Sequence, residues 1–464
     1  MTQAELIEKI DAFIALHKDA IVEDIAALVS IPSIQGPPEP GAPFGRGVRV
    51  ALDEALSIAR RMGLETHDGD GYVGWAELPG RQAGHLATIT HVDVVPEGDG
   101  WDDYPFQLRQ RGDWLIGRGV ADDKGPGVLC LYAAWFLKEL GIPLRYSLRV
   151  LLGCNEESGM EDLPHYFKHN PQPLFCFSPD TDFPVCNGEK GHFGGQFVSG
   201  PLQGSILEFN TGLAPNVIPG QAACLIDADP AALKPTAHVA ITGENGKARL
   251  AATGIAGHAA KPEGTLNAIG LLVDYLLGNQ LCSESENTFL ALMRRIHMAS
   301  DGAGLGVACQ DDVFDALTVN GGVVSLENGR LSQSLDIRFP TATTGDALKT
   351  AMAAEAARHG AAFRPGRISE PFYIPASSPP VQVLMNVYNE VTGRTDKPYT
   401  MGGGTYAQHF ACGVSYGSGD LANPLPSYCG PEHGANEGAC LPDLLLALKI
   451  YILALWRLQD VDFD

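Results

Sequence analysis

Residues 117–127 read GRGVADDKGPG. Two carboxylates, Asp122 and Asp123, stand side by side in a loop that holds four glycines. Glycine lets a backbone turn tightly, and a tight loop gives adjacent carboxylates little room to separate. Like charges this close repel unless something positive compensates them. Lys124 is the lesser candidate for that partner. A divalent cation is the stronger one, because carboxylate oxygens are among the donors such ions take.

Strand and helix alternate on either side of this loop. HLATITH (85–91) reads as a buried strand ending at His91, and GPGVLCLYAAWFLKELG (125–141) as a helix of about four turns closed by Gly141. RYSLRVLLGC (145–154) and LFCFS (174–178) read as further strands, ending just before Asn155-Glu156-Glu157 and just before Asp180. The pattern is that of an α/β protein with a largely parallel sheet, whose ligands bind outside the carboxyl ends of the strands. The ionisable residues of interest fall there: His91 and Asp93 in THVDVVP, Asp122, Glu156 and Glu157 in NEESG, Asp180 in SPDTDFP, and His433 in GPEHGANE. Singly, a strand-end histidine is most often structural and a Glu-Glu pair most often a solvated surface. Together they put imidazole and carboxylate groups on successive loops of one sheet edge, where divalent cations would relieve the repulsion.

From 192 to 382 the character changes to short alternating strands and turns, with helices near 265–278 and 346–359. CLIDADPAALK (224–234) and SLDIRFPTATTGDALK (334–349) share an outline of strand, turn and helix start, which hints at a duplicated subdomain. A new helix begins in ASSPPVQVLMNVYNEVTG (376–393). The expected organisation is an α/β catalytic domain over 1–191 and 383–464, interrupted by an inserted domain over 192–382.

The 464-residue chain carries a formal net charge of -23. Its field has the wrong sign for nucleic acid or an anionic membrane surface. Ten cysteines without a C-x-x-C pair argue against a zinc ribbon or a disulfide framework. The first residues, MTQAELIEKIDAFIALHKDA, lack the basic and apolar regions of a secretory leader and place Leu6, Ile10, Phe13 and Ile14 at helical spacing. LLLALKIYILALW (444–456) is too short to span a bilayer. A cytoplasmic protein is expected. GRGVADDKG lacks the G-x-x-x-x-G-K-[ST] spacing and has acids where phosphate would sit, so a nucleotide loop is rejected.

Six stretches in order, HVDVVPEGDGW, GRGVADDKGP, NEESG, SPDTDFPVCNGEKG, GIAGHAAKPEGTLNA and GGGTY, resemble the M20 metallopeptidases. These include dipeptidases, aminoacylases and desuccinylases. Within them, DDKGP, PDTDFP, NGEKG and GGGTY look most like the bacterial PepV-type dipeptidases, related to carnosinases. The resemblance covers most of the chain. It implies a phosphorylase/hydrolase-like α/β zinc-peptidase domain with an inserted α+β lid, and a site of two Zn2+ ions for which Mn2+ or Co2+ can substitute. Asp122 would bridge the ions, with His91 and Asp180 completing one site and Glu157 and His433 the other. Glu156 would be the general base, and a cis peptide would follow Asp122. Asp93 would accept the second N–H of His91 and fix its tautomer. In the inserted domain, His258 resembles the histidine that stabilises the oxyanion, while Asn216 and Arg338 resemble substrate contacts. GGGTY would offer the backbone N–H groups of Gly403, Gly404 and Thr405 to the substrate carboxylate. His192 and His409 are the rivals of His433 as a ligand, and Asn436 stands where the family often has Asp. The expected substrate is a small free dipeptide, including β-alanyl or Xaa-His dipeptides, and the expected assembly a monomer rather than a homodimer. The competing readings are a deacylase or desuccinylase acting on N-acyl amino acids, and a non-catalytic metal- or peptide-binding homologue.

Overall fold

The computed structural model describes residues 2–419 and 423–463. The chain divides into two compact units: unit 1 comprises 1–188, 374–399 and 405–464, and unit 2 comprises 189–373 and 400–404. Both expected boundaries shift. Helix Pro379–Thr392 packs wholly with unit 1, so 379–382 belong to the first unit. Residues 400–404 join the second.

Unit 1 is built on a sheet in the order β1 (Glu65–Gly69), β2 (Val73–Leu78), Ser147–Gly153, β3 (His85–His91), Phe175–Ser178, Gly413–Tyr416, Val185–Glu189. β3 lies between two parallel neighbours, and all seven of its residues are buried. Such a strand carries no solvated face, which is why HLATITH reads as an unbroken run rather than an alternating one. Helix α1 (Gln3–Val29) starts at a capping box: Thr2 Oγ1 accepts from Glu5 N–H, and the Glu5 carboxylate accepts from Thr2 N–H. Its buried Leu6, Ile10, Ile21 and Ile25 join the core with α2 (Arg46–Arg61), α3 (Lys124–Glu139) and the C-terminal helix Leu441–Leu458. Among the described residues no helix is long and apolar enough to cross a membrane.

Two positions explain the glycines around Asp122. Gly119 has φ +87°, and a Cβ there would meet Lys124 Cδ at 2.9 Å. At Gly125 a Cβ would stand 2.1 Å from the Val120 carbonyl oxygen. Glycine at both lets the loop fold back over the start of α3. The peptide between Asp122 and Asp123 is cis.

Unit 2 holds an antiparallel sheet of Ile206–Glu208, Gln221–Ile226, Lys247–Thr253 and Val239–Glu244, and a second sheet ordered Thr318–Asn320, Arg330–Phe339, Gly191–Val198, Ala362–Ser369. Helices Ala268–Gly278, Glu284–His297 and Gly345–Arg358 cover a shared apolar core. The suspected duplication is incomplete. After Gln221–Ile226 only a 3-10 turn, Pro230–Ala232, follows, whereas Arg330–Phe339 leads into a full helix. Pro230 at the first position of that turn suits a helix start, but Pro235 lies too close downstream for it to lengthen.

Candidate active site

His91 is the last residue of β3, Glu156 and Glu157 follow strand Ser147–Gly153, and Asp180 follows Phe175–Ser178. The parallel register of these strands brings their ends to one edge. Asp122 reaches the same place from the loop before α3. Its Oδ1 lies 2.9 Å from His91 Nε2, and its Oδ2 lies 2.9 Å from His433 Nε2. His433 Nε2 is also 3.1 Å from Glu157 Oε2, and His91 Nε2 is 3.9 Å from Asp180 Oδ2. The ligand atoms of His91, Asp122 and Glu157 lie within 4.8 Å of one another, and so do those of His91, Glu156 and Asp180. Every expected ligand is therefore in one cluster, and Glu156 stands beside the His91–Asp180 pair.

Five carboxylates (Asp93, Asp122, Glu156, Glu157, Asp180) meet two imidazoles here. Burial, and then the neighbouring carboxylates, push Glu156 and Asp180 well above the usual carboxylate range. Asp122 goes the other way: burial alone would raise it, but His433 and His91 hold it well below that range. His433 is pushed up to about 11 by Asp122 and Glu157. His91 Nε2 and Asp122 Oδ1 are buried and complete no hydrogen bond, although they face each other. Excess negative charge, orphaned donor atoms aimed at common points, and a His/carboxylate donor set all fit divalent metal.

Asp93 acts differently from the expectation. His91 Nδ1 meets the Asp93 backbone carbonyl at 3.0 Å, while its carboxylate is 3.6 Å away. That carboxylate instead accepts from the N–H groups of Glu156 (3.2 Å) and Glu157 (3.1 Å). The carbonyl fixes the tautomer, and the carboxylate fixes the loop that carries Glu156 and Glu157. Lys124 is no partner for the aspartates. Its Nζ donates to the carbonyls of Leu28 (3.0 Å) and Ile31 (2.8 Å) at the end of α1. The carboxylate of Asp123 accepts from His91 N–H at 3.3 Å. Asn436 does not orient a ligand: its Oδ1 accepts from Asp102 N–H and Arg109 Nη2.

Two supporting groups escaped the sequence reading. Glu437 receives N–H groups from Gly119, Ala121 and Asp122 and pairs with Arg118. Its only sequence signal is a carboxylate four residues after His433. Asp162 accepts from the N–H groups of Cys154 (2.7 Å) and Asn155 (3.2 Å) and from Tyr406 Oη, which steadies the start of the NEESG loop. Nothing in the short pattern around Asp162 announces this.

In unit 2, strand Val217–Ile218 pairs with Gly257–His258, and Ala259 N–H donates to the Asn216 carbonyl, so Asn216 and His258 are neighbours. Ala260 N–H donates to His258 Nδ1 at 3.2 Å. Arg338 Nε and Nη2 donate to Asp336 (3.0 and 3.3 Å), and Nη1 donates to the Gly402 carbonyl (3.2 Å). Gly402 is thus the residue of GGGTY that meets Arg338, ahead of Gly403 and Gly404. Thr405 belongs to unit 1, and its hydroxyl is committed there. It accepts from Ala407 N–H, capping a 3-10 turn, and bonds Ser415 Oγ. The contact expected of Thr405 is through its backbone N–H, on which these hydroxyl bonds do not bear. His192 pairs with Asp336 (3.1 Å), and His409 closes the 3-10 turn Tyr406–His409. Neither competes with His433.

A cluster of this composition at the carboxyl edge of such a sheet is that of a metallopeptidase. The profile of Peptidase family M20/M25/M40 matches residues 87–457. "Putative dipeptidase YtjP" of Bacillus subtilis is 29% identical over 463 residues, covering 95% of this chain and 97% of its own. A Staphylococcus aureus protein given the same dipeptidase description is 30% identical over 466 residues, covering 95% and 97%. The crystal structure of human carnosine dipeptidase 1 superposes with a TM-score of 0.61 at 16% identity, covering 98% of this chain and 99% of that one. The chain belongs to peptidase family M20/M25/M40 and is a metal-dependent peptidase.

Proposed function

We propose that this chain is a dizinc dipeptidase that hydrolyses free dipeptides, β-alanyl and Xaa-His dipeptides among them, and that Mn2+ or Co2+ can replace zinc. One observation carries the reading: the two oxygens of Asp122 each lie 2.9 Å from a different imidazole. That is the geometry of a shared carboxylate with a ligand pair on either side, His91 with Asp180 and Glu157 with His433. These residues would hold two divalent ions, which would supply a water of lowered pKa and polarise the scissile carbonyl. Glu156 takes the proton from the attacking water and hands it to the amide nitrogen as the C–N bond breaks.

The residues of unit 2 serve the substrate. With Nδ1 of His258 occupied as an acceptor, the neutral ring carries its proton on Nε2, ready to donate to a developing oxyanion. Arg338 has five N–H groups. Three are engaged by Asp336 and Gly402, which leaves one on each Nη, the end-on fork that pairs with a terminal carboxylate. Asn216 and the backbone N–H groups of Gly403, Gly404 and Thr405 complete the contacts.

The reading extends to a cytoplasmic monomer. Ten cysteines without a disulfide support the compartment. The test is a hydrolysis screen of metal-stripped protein reloaded with zinc, manganese or cobalt. Cleavage of free dipeptides is expected. Cleavage of N-acyl amino acids alone makes it a deacylase, and no cleavage with any metal makes it a binding homologue.

A further inference from the structure

Two asparagines of unit 2, Asn320 and Asn267, meet side chain to side chain. Asn320 ends strand Thr318–Asn320 and is 3% exposed. Its Nδ2 donates to the carbonyls of Pro215 (2.7 Å) and Val217 (3.0 Å), and its Oδ1 accepts from Asn267 Nδ2 (3.0 Å). Asn267 Nδ2 also donates to the Gly321 carbonyl (3.1 Å). Its Oδ1 accepts from Ile269 N–H (2.9 Å), capping helix Ala268–Gly278. A side-chain amide has two N–H donors, so all four donors of the pair are used. The network also fixes which way each amide faces: turned over, Asn320 would set its oxygen against two carbonyls.

The two carbonyls that Asn320 holds flank Asn216. The carbonyl between them, that of Asn216 itself, accepts from Ala259 N–H (2.9 Å), and Val217 pairs with His258. The other end of the His258 segment returns to the same place. Leu266, next to Asn267, exchanges both backbone hydrogen bonds with Ile255 (2.9 Å each). Gly322 completes the seat. A Cβ there would stand 2.4, 2.6 and 2.7 Å from the carbonyl oxygens of Ala214, Pro215 and Val217, so glycine alone permits the approach. A buried carbonyl needs a donor, but the donor can come from any source. Here one amide serves both carbonyls around a single residue, so its place fixes that residue at both ends.

We propose that Asn320, braced by Asn267, is a positioning residue that sets where Asn216 and His258 stand. The proposal rests on the dipeptidase reading for what those two residues do, but not for the hold that the amide has on them. Asparagine is the residue this seat demands. Aspartate has the same shape but no N–H, and its oxygens would face two carbonyls. The consequence for turnover is large, since a displacement of about 1 Å in a group that acts on the reaction costs about 10²-fold in rate.

The experiment is a double-mutant cycle, read as kcat on the zinc-loaded full chain with the best dipeptide of the screen. Asn320→Asp is expected to lower kcat by about 10²-fold in the unaltered protein, but by less than about threefold when His258 is already alanine, because residues that act through one another are not additive. Leu276→Ala, a change in the buried core of the same unit, controls for lost stability and should leave kcat of the folded protein near normal. An equal loss from Asn320→Asp in both backgrounds, an unchanged kcat, or a matching loss in Leu276→Ala overturns the proposal. If Asn320→Asp does not fold, Asn267→Asp replaces it in the cycle. That variant keeps a capping oxygen and removes the N–H donors that brace Asn320, and the same outcomes decide. If no dipeptide is cleaved, the dipeptidase reading has failed, and positioning is judged by hydrogen exchange instead. The Ala259 amide should exchange at least about tenfold faster in the variant, while the amides of helix Ala268–Gly278 do not. An unchanged Ala259 rate, or an equal rise in both, overturns it.

Discussion

The Glu437 carboxylate and the Arg118 guanidinium form a buried pair, Oε2 to Nη1 at 2.7 Å, with each side chain only 1% exposed. Glu437 also accepts from the N–H groups of Gly119, Ala121 and Asp122. Arg118 Nη2 donates to the carbonyls of Pro96, Glu97 and His433. Three loops are thus fastened at one point, and two of them carry Asp122 and His433. The pair positions Asp122 and His433.

Glu437→Gln keeps the size of the side chain but leaves Arg118 as a buried, unpaired cation. Breaking such a pair from one side costs about 3–5 kcal/mol. The expected outcome is that loss in urea-unfolding stability, together with weaker metal binding by calorimetry at a temperature where the variant is still folded. Removing both charges in Arg118→Met/Glu437→Leu should restore part of the stability but not the metal affinity, because the N–H groups of the Asp122 loop lose their acceptor. Recovery of both would make the pair a fold element only.

Much of the cluster was legible because His91, Glu157 and Asp180 follow strands, and strand ends can be read from hydrophobic runs. HLATITH stops at His91, and LFCFS stops two residues before Asp180. The supporting groups were not legible, because their partners are distant in sequence. Glu437 is 319 residues from Arg118, and Tyr406 is 244 from Asp162. Asp93 shows a subtler limit. Its place beside His91 was readable, but whether its carbonyl or its carboxylate meets the imidazole depends on the path of the NEESG loop.

Glu156→Gln should retain bound metal and lose turnover by about 10²–10⁴-fold, since it removes the proton shuttle alone. Metal content is read by elemental analysis and turnover on the best dipeptide from the screen. Loss of one equivalent of metal instead would make Glu156 a ligand of the His91–Asp180 position, which its place beside them allows geometrically.

His297 gives unit 2 an acid sensitivity of its own. Burial lowers its pKa to about 4, with Gln333 Oε1 at 3.3 Å opposing only in part. The ordinary histidine value is about 6.5. Below that pH the unfolded chain binds a proton that the folded one refuses, so stability is fully present above about 6.5 and is lost as pH falls toward 4, on the order of 3 kcal/mol in all. His85 in unit 1 is lowered to about 4 by burial and then by Arg149, with the same sign. His297→Asn should therefore flatten the fall in thermal stability between pH 6.5 and 4.5, leaving the part due to His85. An unchanged slope would show that His297 does not titrate there.

His258 is exposed, and Ala260 N–H fixes its tautomer by donating to Nδ1 at 3.2 Å. A donor that meets charge only as it develops lowers the barrier without tightening the substrate complex. His258→Ala should then reduce kcat by about 10²–10³ while KM changes little. His258→Gln offers a side-chain N–H at a similar reach and should recover part of kcat, which a residue that merely packs the unit would not do. If His258→Ala raises KM and leaves kcat intact, the imidazole is a ground-state contact, and stabilisation of the oxyanion must come from elsewhere in the site.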